Sequence, residues 1–227
     1  MAETGINKEA QNPQIKAVIF DLDGLLIDSE PVWGEAYLKF ISMKGLPDEP
    51  TVSRQFRGMG IREIVGIWKK EYGLNGGVDE LASEYRSTLY KFLLEPGRLK
   101  LMDGAEELLQ KLKGKYSLAI ATSGHRDEMA KKLLGLLNIE AYFDQVISGD
   151  DVAHGKPAPD VYLTSAEKLE LNPVNCLVLE DSINGVLSAK AAQVKVFGVN
   201  PDESARAELD KAGADRVFNS LAEVKIP

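Results

Sequence analysis

Phe20-Asp21-Leu22-Asp23-Gly24 closes the apolar run Ile15–Phe20 (IKAVIF), and the fold turns on how that junction is read. A run of strand length, rich in branched and aromatic residues, stops at two carboxylates spaced i and i+2. Gly24 then lets the chain turn sharply away. In open α/β sheets ligands collect beyond the carboxyl ends of the strands. Asp21 and Asp23 therefore stand where a ligand can reach them. Two close carboxylates repel and raise one pKa unless a cation shares the site. The pair reads as a metal site, as an acid/base pair or, in the bland alternative, as a solvated turn.

Further runs of the same kind recur downstream at Leu118–Ala121, Gln145–Ile147, Cys176–Leu179, Lys195–Val199 and Arg216–Phe218. Nearly continuous apolar runs suit strands buried on both faces, the habit of parallel sheets. Between them the spacing predicts helices over Pro159–Leu169, Ser182–Ala191 and Glu203–Ala212. Another follows a capping-box-like start at Asp103-Gly104-Ala105-Glu106, with Leu108, Leu109 and Leu112 on one face. This alternation predicts an α/β fold, a doubly wound parallel Rossmann-like sheet.

One region breaks the alternation. Pro31–Met43, Ile61–Tyr72 and Val78–Leu94 read as helices, separated by joints at Gly45–Pro50, Gly58–Gly60, Gly73–Gly77 and Pro96–Gly97. So long an insertion is no loop of a compact domain. The expected organisation is a disordered lead-in over residues 1–14, a core formed by 15–29 and 100–227, and an inserted all-helical cap domain over 30–99, joined near Asp28 and Leu99.

Composition narrows the function. The 227 residues carry 27 Lys and Arg against 35 Asp and Glu, a net charge of −8 that argues against nucleic-acid partners. It does not argue against a small anion, because local field and net charge are different quantities. No apolar stretch reaches the ~20 residues of a membrane span, and the polar stretch Met1–Gln14 lacks the apolar region of a secretory signal. The single cysteine, Cys176, lies in an apolar run and reads as a buried structural thiol. A cytoplasmic monomer is expected, with no membrane partner.

Three more segments could carry chemistry. Glu180-Asp181-Ser182 repeats the first pattern, an apolar run followed by carboxylates and a helix start, although Asp181 could be a helix cap. Acidic residues at two strand ends of one sheet would suit a hard cation such as Mg²⁺. Thr122-Ser123-Gly124 offers a hydroxyl and free N–H groups at a strand-to-helix turn, a phosphate cradle or an ordinary cap. Gly155-Lys156-Pro157-Ala158-Pro159-Asp160 pins a lysine between turn residues and is not a Walker A loop, since Pro157 stands where Ser or Thr is needed.

The four segments, taken in their order along the chain, resemble the haloacid dehalogenase superfamily, in the subgroup with a helical cap after the first motif. The resemblance spans Ile15 to about Phe218 and rests on Asp21–Glu30 (DLDGLLIDSE), Gly155–Asp160 (GKPAPD) and Leu179–Gly185 (LEDSING). Its β-phosphoglucomutase-like and sugar-phosphate phosphatase branches are closest in style. The resemblance implies Asp21 as nucleophile forming an aspartyl-phosphate, and Asp23 as the acid and base. It implies Mg²⁺ held by Asp21, the Asp23 backbone carbonyl and Asp181, with Glu180 near or in the shell. Thr122, Ser123 and Gly124 would hold the phosphoryl group, and Lys156 would bridge it to Asp21. Substrate contacts are expected from Glu30, Arg57, Gly58, Arg62 and His125, with Trp33, Met59 and Gly60 as further cap candidates. Trp33 and Trp68 can also be read as cap packing, and His154 as structural.

The mutase branch carries His where this chain has Trp33, and Ser-Lys where it has Gly124-His125. The Arg that follows the glycine of the mutase cap loop is also shifted by a residue here. The expected function is therefore Mg²⁺-dependent hydrolysis of a small sugar phosphate. A phosphosugar mutase and a catalytically silent binding module on the same fold are the alternatives.

Overall fold

The computed structural model describes residues 13–46 and 56–226. The expected lead-in, apart from its last two residues, and most of the joint at Gly45–Pro50 lie outside them. Six strands form one parallel sheet: β1 (Ala17–Phe20), β2 (Ser117–Thr122), β3 (Gln145–Ser148), β4 (Cys176–Glu180), β5 (Lys195–Val199) and β6 (Arg216–Phe218). Their order is β3-β2-β1-β4-β5-β6, so β1 lies at the middle and the chain reverses its direction of winding between β1 and β4. Phe20 pairs with Ile120 on one side and Leu179 on the other. The register therefore delivers Asp21 and Glu180 side by side at the switch point, where ligands bind in such sheets.

Alternate residues of β1 enter different cores. Val18 and Phe20 face one apolar cluster and Ala17 and Ile19 the other, all fully buried. Burial on both faces is the reason the strands read as unbroken apolar runs. The flanking helices are α4 (Ala105–Leu112), α5 (Asp127–Leu136), α6 (Asp160–Lys168), α7 (Ile183–Ala191) and α8 (Glu203–Lys211). Two local expectations need correction. Helix α5 was not expected, although Ala130, Leu133 and Leu134 bury one face at helical spacing. The start of α4 has no side-chain cap: Gly104 sits there at φ +77°, and the Asp103-to-Glu106 box does not form.

Between β1 and α4 the chain leaves the sheet as three helices, α1 (Glu30–Lys44), α2 (Ile61–Tyr72) and α3 (Val78–Leu93). Trp68 is the hub of this helical cap. Its ring lies 5.3–5.8 Å from those of Tyr37, Phe40, Phe56 and Tyr85, and only 2% of the residue is exposed. The two connections to the core run side by side. Ile27 bridges Leu101 antiparallel, and the Asp28 N–H donates to the Lys100 carbonyl over 2.9 Å.

Candidate active site

The strand ends, not the helices, set the site. Asp21 follows β1 directly, and its N–H donates to the Leu179 carbonyl at 3.0 Å, which continues the ladder past the strand. Gly24 then turns at φ +79°, and a Cβ there would lie 2.4 Å from Asp181 Oδ2. Only glycine lets the Asp-x-Asp turn and the Asp181 carboxylate share this space.

Lys156 is wholly buried, and its Nζ donates to Asp21 Oδ1 (2.5 Å), Glu180 Oε1 (2.6 Å) and the Ala121 carbonyl (3.2 Å). An ammonium has three protons, so all are committed here, and Lys156 is absent from the residues lining the cavity described below. It supports Asp21 from behind; in this arrangement it has no proton left for the phosphoryl group that it was expected to touch. Glu180 is used just as fully. Its Oε1 also accepts from Tyr162 Oη at 2.5 Å, and its Oε2 accepts the Asp181 and Ser182 N–H groups and the Ser182 hydroxyl at 3.0–3.2 Å.

Asp21, Glu180 and Asp181 bring one ligand atom each to within 4.8 Å of one another. Three buried carboxylates against one ammonium leave a surplus of negative charge. Burial, opposed by Lys156 and reinforced by Glu180, pushes the Asp21 pKa up to about 8. Burial and the facing Asp21 and Glu180 charges push Asp181 well above the carboxylate range. An all-oxygen set short of positive charge fits a hard dication. Because five donors already meet the Glu180 oxygens, Asp21 and Asp181 are the members with lone pairs to spare. The Asp23 backbone carbonyl accepts no backbone hydrogen bond among the described residues.

The Asp23 side chain faces a different set. Its Oδ1 accepts from Ser29 Oγ at 2.7 Å and Trp33 Nε1 at 3.0 Å, and His125 Nε2 lies 3.0–3.1 Å from both of its oxygens. Burial alone would raise its pKa, but His125 and these donors outweigh it and hold the carboxyl below its ordinary value.

A cavity of about 130 Å³ opens over Asp21, Asp23, Thr122, Ser123, Gly124 and Asp181. The cap side of its wall is mostly aromatic and apolar, with Trp33, Tyr37, Phe56, Met59, Trp68 and Tyr85. The Ser123 hydroxyl is buried with no partner among the described residues, and the Thr122 hydroxyl accepts only weakly from the Gly124 N–H at 3.3 Å. Both are available to an anion. Glu30 and Arg57 line the cavity as an ion pair at 2.6 Å, with Gly58 beside them. Burial raises the Glu30 pKa although Arg57 opposes it.

Two expected substrate residues lie elsewhere. Arg62 is 70% exposed and pairs with Asp79 at 3.1 Å, held at the surface by the solvated face of α2. His125 is buried behind Gly124 and does not line the cavity. His154 pairs with Asp160 at 3.0 Å at the start of α6. Three other contributors escaped the sequence reading. Glu63 receives the Gly60 and Gly155 N–H groups at 3.2 Å and so seats the start of α2 on the lysine loop. Tyr162 braces Glu180, and Ser29 braces Asp23. Tyr162 stands six residues beyond Lys156 at the start of α6, and Ser29 lies within the quoted stretch Asp21–Glu30.

The sequence matches the haloacid dehalogenase-like hydrolase family over residues 18–199. It is 33% identical to the phosphorylated carbohydrates phosphatase of Thermotoga maritima, over 92% of this chain and all of that one. It is also 33% identical to hexitol phosphatase B of Escherichia coli K12, with 93% and 95% covered. The crystal structure of CbbY from Rhodobacter sphaeroides in complex with phosphate superposes with a TM-score of 0.78 at 26% identity, covering 92% of this chain and 96% of that one.

Proposed function

The chain belongs to the haloacid dehalogenase-like hydrolase family, and on that footing we propose that it is a Mg²⁺-dependent phosphatase that hydrolyses a small sugar phosphate through an aspartyl-phosphate. The observation that carries this reading is the division of labour between Asp21 and Asp23. One is fixed by an ammonium on a single oxygen, and the other is held by neutral donors and an imidazole. One carboxylate cannot be nucleophile and proton carrier at once, and here two residues of the same turn are prepared differently.

In the first step Asp21 Oδ2, the oxygen not bound to Lys156, bonds to phosphorus. The bond to the sugar oxygen breaks, and Asp23 gives that oxygen a proton. In the second step Asp23 takes a proton from water as the water oxygen bonds to phosphorus and the Asp21–phosphorus bond breaks. The lowered pKa leaves Asp23 ionised, the form that accepts the proton of the second step, whereas the first step needs it protonated. Thr122, Ser123 and the backbone N–H groups of their turn orient the phosphoryl oxygens. Mg²⁺ held by Asp21, Asp181 and the Asp23 carbonyl would neutralise charge between nucleophile and phosphate. The cap over residues 30–99 supplies the organic pocket, and Glu30 and Arg57 are its charged contacts. We place the enzyme in the cytoplasm as a monomer.

The test is phosphate release over a panel of sugar phosphates with and without Mg²⁺, using Asp21→Asn as control. Release that survives chelation or Asp21→Asn overturns the proposal. Conversion of β-glucose 1-phosphate to glucose 6-phosphate with little free phosphate assigns the chain to the mutases instead.

A further inference from the structure

His125 has no part in the hydrolytic scheme above, yet it is buried between the cap and the Asp23 carboxylate. It is 2% exposed and lies outside the cavity wall. Its ring is flanked by Trp33 at 5.7 Å and Tyr90 at 5.8 Å between centroids. Both flanking residues belong to the cap, on α1 and α3, whereas His125 belongs to the core turn after β2. The Arg126 N–H donates to the Tyr90 hydroxyl at 3.3 Å, which fixes that contact. His125 Nδ1 is buried without a hydrogen-bond partner among the described residues. The angle of the imidazole is thus set by the two cap rings packed at a tilt against it and by Asp23 at Nε2.

The Asp23 carboxylate is loaded unevenly. Ser29 Oγ and Trp33 Nε1 donate to Oδ1 and the His125 Nε2 hydrogen bond also falls on Oδ1 at 3.1 Å, whereas Oδ2 has only His125 Nε2 near it, at 3.0 Å, among the described residues. Oδ2 also faces Gly124, where a Cβ would come within 3.3 Å of it. Gly124 belongs to the turn expected to hold the phosphoryl group and lines the cavity.

We propose that His125 is a positioning residue for Asp23: clamped by Trp33 and Tyr90, it holds the carboxylate with Oδ1 committed to Ser29 and Trp33 and leaves Oδ2 as the oxygen that exchanges protons with the reacting groups. Two of the three groups that hold Asp23 depend on α1, because Trp33 is both donor and ring neighbour. Alignment of the proton carrier is therefore complete only with the cap seated. The proposal rests on the phosphatase reading and adds to it a residue that touches neither phosphate nor metal.

A role through Asp23 has a signature that general damage lacks. A sugar alkoxide leaves only if protonated, whereas p-nitrophenolate leaves without a proton. kcat/KM covers steps up to departure of the leaving group, so the later attack of water does not enter it. The experiment measures kcat/KM of the full chain with Mg²⁺ on the sugar phosphate hydrolysed fastest in the panel and on p-nitrophenyl phosphate. His125→Ala should lose about 10- to 100-fold on the sugar phosphate and less than about threefold on the aryl ester. His125→Gln, whose amide can place an N–H near Nε2, should recover most of the loss. Equal losses on the two esters, or no recovery with Gln, overturn the proposal. If His125→Ala does not fold, Trp33→Phe keeps a ring on the imidazole and removes one donor. It should show the same skew between esters, and an even loss again overturns the idea. A wild-type chain that releases phosphate from neither ester refutes the phosphatase reading itself, before any variant is made.

Discussion

Trp33 Nε1 donates to Asp23 Oδ1 over 3.0 Å, so an indole on the first cap helix is bonded directly to a carboxylate at the end of the central core strand. Hydrogen bonds to charged groups contribute about 1.5–3 kcal/mol. This bond favours the ionised carboxylate, so its loss must raise the Asp23 pKa. In Trp33→Phe the limb of the kcat/KM profile that belongs to Asp23 should move to higher pH by about one unit or more. A profile superimposable on that of wild type would show that the bond does not persist in solution.

The raised pKa of Asp21 predicts how metal and pH interact. An acid whose folded pKa lies at about 8 against an ordinary 3.8 holds its proton in the folded chain while the unfolded chain has lost it. Stability from this group is therefore full below about pH 4 and falls as pH rises toward 8. Asp181 shifts in the same direction. A dication needs both carboxylates ionised and removes the cause of the loss. The rise in Tm on adding saturating Mg²⁺ should be roughly 3–6 °C larger at pH 8 than at pH 5.5. An equal or smaller rise at pH 8 would contradict the charge surplus inferred for the site.

Glu180→Gln keeps the shape but removes a buried charge that faces Lys156 at 2.6 Å. Breaking a buried pair costs about 3–5 kcal/mol, so Tm should fall by roughly 6–12 °C or more in a chain of this length. Calorimetry on the metal-free protein measures this. A change under about 2 °C would mean that the Glu180–Lys156 pair carries no such role.

Gly24→Ala should damage metal binding more than the fold. The position needs φ +79°, and the new methyl would meet Asp181 Oδ2 at 2.4 Å. The strained φ costs about 1–3 kcal/mol, and displacement of Asp181 should weaken Mg²⁺ at least about tenfold. Isothermal titration of both proteins gives the comparison, and unchanged affinity would remove Asp181 from the metal set.

Arginines five residues apart should behave differently. Arg57 lines the cavity in its pair with Glu30, whereas Arg62 pairs with Asp79 at the surface. Arg57→Ala should raise KM for the preferred substrate roughly 5- to 50-fold with a smaller change in kcat. Arg62→Ala should leave both constants within about twofold, since exposed pairs contribute at most about 1 kcal/mol. The reverse pattern would place the substrate on the other side of α2.

Where a signal was local, the sequence was legible. All six strands follow runs visible in the primary structure because burial on both faces leaves no polar interruptions. Helix boundaries at Ile61–Tyr72 and Val78–Leu93 follow glycine punctuation at Gly60, Gly73 and Gly77. The four strand-end segments could be found for the same reason. What could not be read depends on contacts across long separations. Lys156 announces itself by its prolines, but that three acceptors exhaust its protons follows only from the meeting of β1, β2 and β4. Trp33 looks like packing until α1 is laid over the end of β1, and Glu63 looks like a solvated helix residue until its oxygen meets the Gly155 N–H. Arg62 shows the converse: a cation beside a promising glycine loop is turned outward by the periodicity of its own helix.

The side-by-side exit and return of the chain at Asp28 and Lys100, one 2.9 Å hydrogen bond apart, means that the covalent path to and from the cap passes through a single point of the core. The cap's two ends could be joined by a short turn without moving any strand. Selection, or an engineer, can therefore vary the recognition cassette only within a limit: any replacement has to bring back a donor where Trp33 meets Asp23.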